Sequence, residues 1–441
     1  MKNFFAKIGA AIKAHKGRTI AISVTAFVLI CVIISLSVLN ALLFNRFSKG
    51  YVPTDAQLAA IKDDPANQYK RVVIIGVDGV GDYFSHAYTP YFDKLFDTSK
   101  NASVTYTGTA VYPTISCENW MAMFHGVRPV YHGFIFKDTN QRVEAGKHTD
   151  SEKYPSFMKQ YLDQNPTGKI FASCTWRGVT NGVIEDDARI VKLNSDAEQI
   201  YAFLNGETMW SPVTDKEYQE NYKLDENGQQ VLKKASNKIE EINAYVEAPV
   251  ADPKGQLREF LEAQVLLHGY SDESIAMRDA LTVQRVIEAN VEAYVEGDTI
   301  KYKEKEDAYA ISYMHLDQVD HAGHSFGYSK PGYVEAVSRV DQLIGWLYDA
   351  FTEADMMDDT LFVLCTDHGH RYPGGHKNHG KNTAEEVNVT FAIAGKTVKA
   401  GMLTSRYVET DMAAVLAYAL GVKANENWQG RVPYNMFTLL G

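Results

Sequence analysis

Three aspartates, three histidines and one serine are the residues of this 441-residue chain whose types are best suited to chemistry. Most of them follow an apolar run, at the point where glycine-containing loop sequence begins. They are Asp78, Ser116, Asp320, His324, Asp367, His368 and His379. Carboxylates and imidazoles bind divalent metals, and bringing so many of them together is unfavourable without a positive charge between them. The combination predicts a pair of bound metal ions beside a hydroxyl nucleophile.

The nucleophile is expected where a strand leads into a helix, because amide groups at a helix N-terminus stabilise a developing negative charge. Ser116, in the segment VYPTISCEN, lies at such a point. Thr114 is an alternative hydroxyl in the same turn, and Ser116 has the alternative role of a simple helix cap. A metal ion bound to the hydroxyl oxygen would lower its pKa and allow attack near neutral pH.

The metal ligands also have structural alternatives, since an aspartate at a strand end is often only a turn former or a helix cap. Asp320 and His324 are four residues apart, so a helical turn would place both on one side. In the same segment, His315, Asp317 and His321 compete with them as ligands. Four such segments in one chain favour the metal interpretation over the separate structural ones.

The elements between these residues must position them. Apolar runs that end in an acid or a glycine are typical of buried strands. Strands are predicted at 71–77, 104–112, 169–174, 308–314, 360–365 and 390–394, and helices at 119–124, 276–295 and 334–351. This alternation predicts an α/β doubly wound sandwich, with a central, mostly parallel sheet and helices on both faces. In such a sheet ligands bind at the carboxyl ends of the strands, where the candidate residues lie.

The predicted catalytic domain covers residues 70–441. A charged, helical stretch at about 195–305 is predicted to form a cap inserted over the sheet, and the polar segment 45–69 to form a linker. No internal repeat or cysteine-spacing pattern suggests a different organisation, and the four cysteines predict neither a disulfide framework nor a cysteine-based zinc site.

The N-terminus predicts a membrane anchor. Residues 19–44 carry no charged side chain and are long enough to cross a bilayer, whereas a cleavable signal peptide would have a shorter apolar region. The preceding tail, 1–18, contains five basic residues and no acid, which predicts a cytoplasmic N-terminus. We therefore expect a single-pass protein of the cell membrane with its catalytic domain outside the cell.

Overall composition is that of a globular protein, with 45% hydrophobic residues and a net charge of −11. Because the basic tail contributes +5, the rest of the chain carries −11 − 5 = −16. This charge argues against general nucleic-acid binding.

The order of motifs resembles the type I phosphodiesterase/nucleotide pyrophosphatase family of the alkaline phosphatase superfamily, over roughly residues 70–400. The strand ending in Asp78-Gly resembles the family's first metal motif, and YPTISCEN followed by GVRPVYHG resembles its nucleophile segment. DQVDHAGH, DHG and the final HG, followed by Glu385 and Glu386, are similar to its remaining metal motifs.

The resemblance implies an alkaline-phosphatase-like fold and two Zn²⁺ ions. It assigns Ser116 as the nucleophile and Asn119 as the residue that binds a phosphate oxygen. One ion would be held by Asp78, Ser116, Asp367 and His368, and the other by Asp320, His324 and His379. The chain departs from the family in two places: Cys117 stands where nucleotide-binding members often have an aromatic residue, and His376 is an alternative to His379 in the loop GGHKNHG.

The resemblance implies a phosphodiesterase that acts on phosphodiester or pyrophosphate bonds through a phosphoserine on Ser116. Its substrate would be a phosphodiester-containing small molecule or a lipid. The alternatives are a phosphomonoesterase or phosphoryl-group transferase that acts on surface lipids or glycopolymers, and an inactive binding protein on the same scaffold. A sulfatase is disfavoured because SCENW lacks the proline and arginine that follow the modified residue in that class.

Overall fold

The computed structural model describes residues 28–32, 35, 50–135, 137–212, 222–224, 230–232, 245–268, 275–371 and 377–440. The chain divides into two compact units, Met1–Phe47 and Ser48–Gly441. In the first unit the described residues, 28–32 and 35, are helical and exposed. Among the residues that the structure describes, no helix is both long and apolar enough to cross a membrane. The predicted tail at 1–18 and most of the predicted span at 19–44 lie outside the described residues.

The second unit contains the strands and helices of the fold. The strands are β1 (Gly50–Tyr51), β2 (Arg71–Val77), β3 (Ala102–Thr109), β4 (Ile170–Cys174), β5 (Ile190–Asn194), β6 (Trp210–Pro212), β7 (Tyr222–Leu224), β8 (Gln230–Leu232), β9 (Tyr245–Glu247), β10 (Val291–Glu296), β11 (Thr299–Glu304), β12 (Ile311–Leu316), β13 (Thr360–Thr366), β14 (Asn388–Ala394), β15 (Gly401–Met402) and β16 (Val432–Pro433). The α-helices are α1 (Asp55–Lys62), α2 (Pro90–Leu95), α3 (Ser116–His125), α4 (Pro129–His132), α5 (Thr139–Glu144), α6 (Phe157–Gln164), α7 (Ala197–Asn205), α8 (Gln256–His268), α9 (Ile275–Asn290), α10 (Gln318–Phe326), α11 (Pro331–Glu353), α12 (Ala384–Val387) and α13 (Asp411–Ala419).

Eight strands form the main sheet, in the order β15-β3-β14-β13-β2-β12-β4-β5. From β5 to β13 each strand is parallel to its neighbour, and β15 is parallel to β3. Only β14 runs in the opposite direction, antiparallel to both β13 and β3. The mostly parallel sheet is confirmed. Four antiparallel ribbons of two strands accompany it: β1–β16, β6–β9, β7–β8 and β10–β11.

The central strand β2 shows why the apolar runs could be recognised as strands. All seven of its residues, RVVIIGV, are buried. Because successive side chains of a strand point to opposite faces, Val72 and Ile74 pack with α3, α6 and α13, whereas Val73 and Ile75 pack with α9 and α11. Helices therefore cover both faces of the sheet, as predicted.

Two predicted boundaries differ from the structure. Residues 50–69, the described part of the predicted linker at 45–69, belong to the folded unit, because β1 pairs with β16 and because Leu58 and Ile61 of α1 are buried in the core. A capping box at Thr54 begins α1. Within the predicted cap at about 195–305, α9 packs directly on β12 and β4. Most of its residues are buried, so this helix is one of those that cover the sheet.

Candidate active site

The carboxyl ends of three neighbouring strands carry the candidate ligands. Asp78 follows β2, Asp367 follows β13, and the helix α10, with Asp320 and His324, follows β12. β2 lies between the other two strands, so the three chain segments meet at one edge of the sheet. Gly79, with a φ of 70°, allows this approach, since a Cβ at its position would lie 2.6 Å from the Cα of Asp320.

A first group of side chains surrounds the hydroxyl of Ser116. Its Oγ lies 3.5 Å from Asp78 Oδ1 and 3.2 Å from His368 Nε2. His368 Nε2 is in turn 3.3 Å from Asp367 Oδ2, and all four residues are buried. Asp78, Asp367 and His368 offer ligand atoms that all lie within 4.8 Å of one another. The four residues predicted to share one metal ion therefore lie together.

The second group lies beside the first. Nε2 of His324 is 3.2 Å from Asp320 Oδ2, and Nε2 of His379 is 3.6 Å from Asp320 Oδ1. The two Nε2 atoms are 3.3 Å apart. His379 stacks on His368, with ring centroids 3.7 Å apart, so the two groups are adjacent. The side chain of His324 is 41% exposed, which leaves this group open to solvent.

The three histidines share one hydrogen-bonding pattern. Nδ1 of His324 and Nδ1 of His379 are each 2.7 Å from a backbone carbonyl oxygen, and Nδ1 of His368 is 3.2 Å from one. A carbonyl can only accept, so each Nδ1 donates and a neutral ring turns its Nε2 lone pair towards the carboxylates. Metal-binding histidines are commonly held in this way.

The electrostatics of the site favour a positive charge. A hydrogen bond to Asp320 raises the pKa of His324 to about 9. Burial, reinforced by His379, lowers the pKa of His368 to about 3, so this ring is neutral. Burial and the charge of Asp78 raise the pKa of Asp367 well above its usual range. The Oδ2 atom of Asp367 is buried and has no hydrogen-bond partner among the described residues.

The donor set fits divalent metal ions. Buried carboxylate oxygens and imidazole lone pairs converge here, and one of the carboxylate oxygens has no hydrogen-bond donor among the described residues. A bound cation would neutralise the carboxylates and would also give this oxygen a partner. Within the described part of the chain, three sets of side chains are close enough to hold an ion: Asp78 with Asp367 and His368; Asp320 with His368 and His379; and Asp78 with Asp317 and Asp320.

The turn before α3 separates the roles of Ser116 and Thr114. Ser116 is the first residue of α3 and faces the carboxylates. The hydroxyl of Thr114 instead donates to the carbonyl of Lys381 (2.7 Å) and accepts from the amide of Gly380 (3.0 Å). Thr114 therefore holds the loop that carries His379, and Ser116 is the hydroxyl that lies beside the candidate metal ligands.

The position of Asn119 does not agree with its predicted contact to a phosphate oxygen. Its side chain is fully buried, and its Nδ2 donates to the carbonyls of Pro113 (3.2 Å) and Ile115 (2.8 Å). The amide group is occupied by the turn that precedes the nucleophile. In this structure the side-chain amide of Asn119 holds the turn through its Nδ2.

Sequence reasoning missed two polar partners of the ligands. His370 Nε2 lies 2.8 Å from Asp320 Oδ1, and the indole Nε1–H of Trp120 donates to Asp78 Oδ2 at 3.0 Å. His370 lies two residues beyond His368, shortly after β13, and this spacing could have indicated that its side chain lies near the site. No local pattern indicated the contact of Trp120.

The competing histidines have different positions. Nε2 of His315 lies 3.2 Å from Oδ2 of Asp78, so His315 contacts one of the candidate ligands. His321 is exposed on α10. His376, the alternative to His379, lies outside the described residues.

Known proteins resemble the chain in sequence or in fold. Parts of the chain are similar to GPI ethanolamine phosphate transferase 2 of Aspergillus oryzae (28% identity over 102 residues, 23% of this chain and 11% of that protein). They are also similar to GPI ethanolamine phosphate transferase 1 of Saccharomyces cerevisiae (26% identity over 153 residues, 31% of this chain and 16% of that protein). The matches thus cover about a tenth to a sixth of these relatives.

A solved structure of wild-type alkaline phosphatase PafA superposes with a TM-score of 0.50 at 12% identity, covering 84% of this chain and 99% of PafA. At this identity the likeness shows the fold alone, which is alkaline-phosphatase-like.

A family model described as type I phosphodiesterase / nucleotide pyrophosphatase matches residues 72–372, which is 301 of the 441 residues. The matched segment includes every candidate ligand except His379 and its alternative His376. Enzymes of the alkaline phosphatase superfamily use divalent metal ions, in agreement with the donor set. The chain belongs to the type I phosphodiesterase/nucleotide pyrophosphatase family.

Proposed function

We propose that this chain is a two-zinc phosphodiesterase that cleaves phosphodiester or pyrophosphate bonds through a phosphoserine on Ser116. The observation that carries the proposal is the position of the Ser116 hydroxyl. It lies at the start of a buried helix, 3.5 Å from Asp78 and 3.2 Å from His368, both of which are metal-ligand types. His324, His379 and Asp320 form the adjoining set of donors.

The chemistry follows from this arrangement. Bound zinc ions would supply positive charge that favours the alkoxide form of Ser116 and offsets the charge that develops on the phosphate. Ser116 Oγ forms a bond to phosphorus while the bond from phosphorus to the leaving oxygen breaks. Water then attacks the phosphoserine, and its oxygen replaces Ser116. Two displacements at phosphorus give net retention of configuration.

The test uses the Ser116→Ala and Thr114→Ala variants of the full chain. We expect Ser116→Ala to abolish hydrolysis of synthetic diesters and to retain bound zinc, measured by elemental analysis. Thr114→Ala should keep a phosphoserine that mass spectrometry detects on Ser116, although its turnover falls. Full activity of Ser116→Ala, with loss in Thr114→Ala, would contradict the proposed nucleophile. Faster turnover of monoesters than of diesters would instead favour the monoesterase.

A phosphoryl-group transferase is the second candidate, because the curated relatives cited above are named as ethanolamine phosphate transferases. A transferase and a hydrolase share the first step and differ in the acceptor that attacks the phosphoserine. Addition of ethanolamine or glycerol during turnover separates them. A transferase gives a new phosphodiester in the ³¹P NMR spectrum, whereas a hydrolase gives only the product of water attack.

The N-terminal segment 19–44 is proposed to anchor the enzyme in the cell membrane, with the catalytic domain outside the cell. Support comes from the uncharged length of this segment and from the five basic residues before it. The full-length chain should remain in the membrane fraction after extraction with alkaline carbonate, and protease added to intact cells should degrade its catalytic domain. Release by carbonate would contradict the anchor.

A further inference from the structure

Asp279 of α9 accepts two hydrogen bonds at the start of α10 and a third from Thr175, which follows β4. Its Oδ1 accepts from the backbone amide of Asp317 (2.9 Å) and from the hydroxyl of Thr175 (2.7 Å). Its Oδ2 accepts from the backbone amide of Gln318 (3.0 Å). The side chain is fully buried. A carboxylate from one helix therefore caps the N-terminus of another.

This cap replaces the usual local one. The first amides of a helix have no partner within the helix, and a side chain at the preceding residue commonly accepts from them. Asp317 occupies that position in α10 but makes no such side-chain hydrogen bond. The carboxylate of Asp279 takes over the role, and its negative charge also lies at the positive end of the helix dipole.

The capped helix is the one that carries Asp320 and His324. α10 is only nine residues long, with Asp320 in its first turn and His324 in its last. A rotation or shift at its N-terminus would therefore move both side chains. Asp320 also packs closely against Gly79, because a Cβ at position 79 would lie 2.6 Å from the Cα of Asp320, so the helix has little room to move without changing the site.

We propose that Asp279 is a positioning residue of the active site, which fixes Asp320 and His324 for metal binding by capping α10 from a neighbouring helix. The inference rests on the proposed function, because it assigns these two residues to a zinc ion. Asp279 itself touches neither ligand. Replacement of Asp279 should therefore lower the zinc affinity of the protein, which can be measured independently of turnover.

The chain offers a matched control in Asp341. Its carboxylate is also buried and accepts from the first amides of another helix, those of Tyr91 (3.2 Å) and Phe92 (2.7 Å) at the start of α2. Burial raises the pKa of both Asp279 and Asp341 to about 6. The two caps share the same chemistry, but α2 carries no candidate site residue.

The experiment compares Asp279→Asn with Asp341→Asn in the full chain. Each amide variant keeps one acceptor oxygen and loses the other, so both should lower the melting temperature. Zinc affinity is measured by competition with a chromophoric chelator. We expect Asp279→Asn to weaken binding at one site by about 10- to 100-fold, the usual cost of losing a partner that orients a ligand. Asp341→Asn should bind zinc like the wild type.

A milder variant covers the case in which Asp279→Asn does not fold. Thr175→Val removes one donor to Asp279 and leaves both backbone bonds, so it should weaken zinc binding in the same direction but less. Wild-type zinc affinity in Asp279→Asn, or in Thr175→Val where Asp279→Asn does not fold, would overturn the role of Asp279, as would an equal loss in Asp341→Asn. A wild-type protein that binds no zinc would instead contradict the proposed function.

Discussion

Gly323→Ala is expected to disturb the active site through a single methyl group. Gly323 lies in α10 between Asp320 and His324, and the ring of His370 packs directly on it. A Cβ at this position would lie 2.3 Å from Nε2 of His370 and 2.5 Å from Cδ2 and from Cε1. Carbon contacts are normally about 3.5–4.0 Å, so the ring must move by more than about 1 Å.

The movement would break the hydrogen bond between His370 Nε2 and Asp320 Oδ1, which is 2.8 Å long. Overpacking costs about 1–3 kcal/mol, and a hydrogen bond to a charged group contributes about 1.5–3 kcal/mol. Alanine is favoured over glycine within a helix by about 1 kcal/mol, which offsets part of this loss. We expect Gly323→Ala to lower the free energy of unfolding by roughly 1.5–5 kcal/mol and to weaken zinc binding.

The assay is urea denaturation of four proteins in the presence of a chelator: wild type, Gly323→Ala, His370→Ala and the double variant. Once the ring of His370 is removed, the new methyl group has room, so Gly323→Ala should stabilise the His370→Ala protein by about 1 kcal/mol. The sign of the effect therefore reverses between the two backgrounds. An equal destabilisation in both backgrounds, or none in the wild type, would refute the reasoning.

Four further outcomes are expected. Trp120→Phe removes the indole donor to Asp78 while keeping an aromatic ring, and should weaken zinc binding about 10-fold in the same chelator competition. Thr114→Val should loosen the loop at Lys381 and raise the hydrogen-exchange rate of that loop, with little change elsewhere. Removal of metal with a chelator should lower the free energy of unfolding, by about 2.7 kcal/mol for each site at which zinc had been present at 100 times its Kd. Because burial raises the folded-state pKa of Asp341 to about 6, the folded protein binds the extra proton between pH of about 4 and 6. The stability of the wild type relative to Asp341→Asn should thus fall as pH rises through this window in denaturant titrations, and stay constant above it.

The sheet and most of the site could be predicted because each depends on local sequence. The run RVVIIGV is recognisable as a buried strand without knowledge of its neighbours, and an acid directly after it must lie at the carboxyl edge. The same reasoning placed Asp367 and Asp320. The type of side chain, carboxylate or imidazole, then indicated what the shared site binds.

The remaining contacts depend on side-chain direction and on partners distant in sequence. Asn119 has the residue type that a phosphate site uses, but its amide turns back to two carbonyls of its own turn. Asp279 lies 38 residues before the amide of Asp317 that it caps. The segment containing α1 appeared to be a linker because its few apolar residues are separated by polar ones. Only the structure shows that Leu58 and Ile61 reach the core.

The central place of β2 in the sheet has a consequence for biosynthesis. Its neighbours are β12 and β13, so Val72 pairs with Ile311 and Leu361. At about 5–20 residues per second, a ribosome needs at least about 12 s to make the first of these neighbours after β2. During that time a strand of seven core residues has both edges unpaired and its apolar side chains uncovered. The segment that ends in Asp78 is consequently where we expect chaperones to bind the nascent chain.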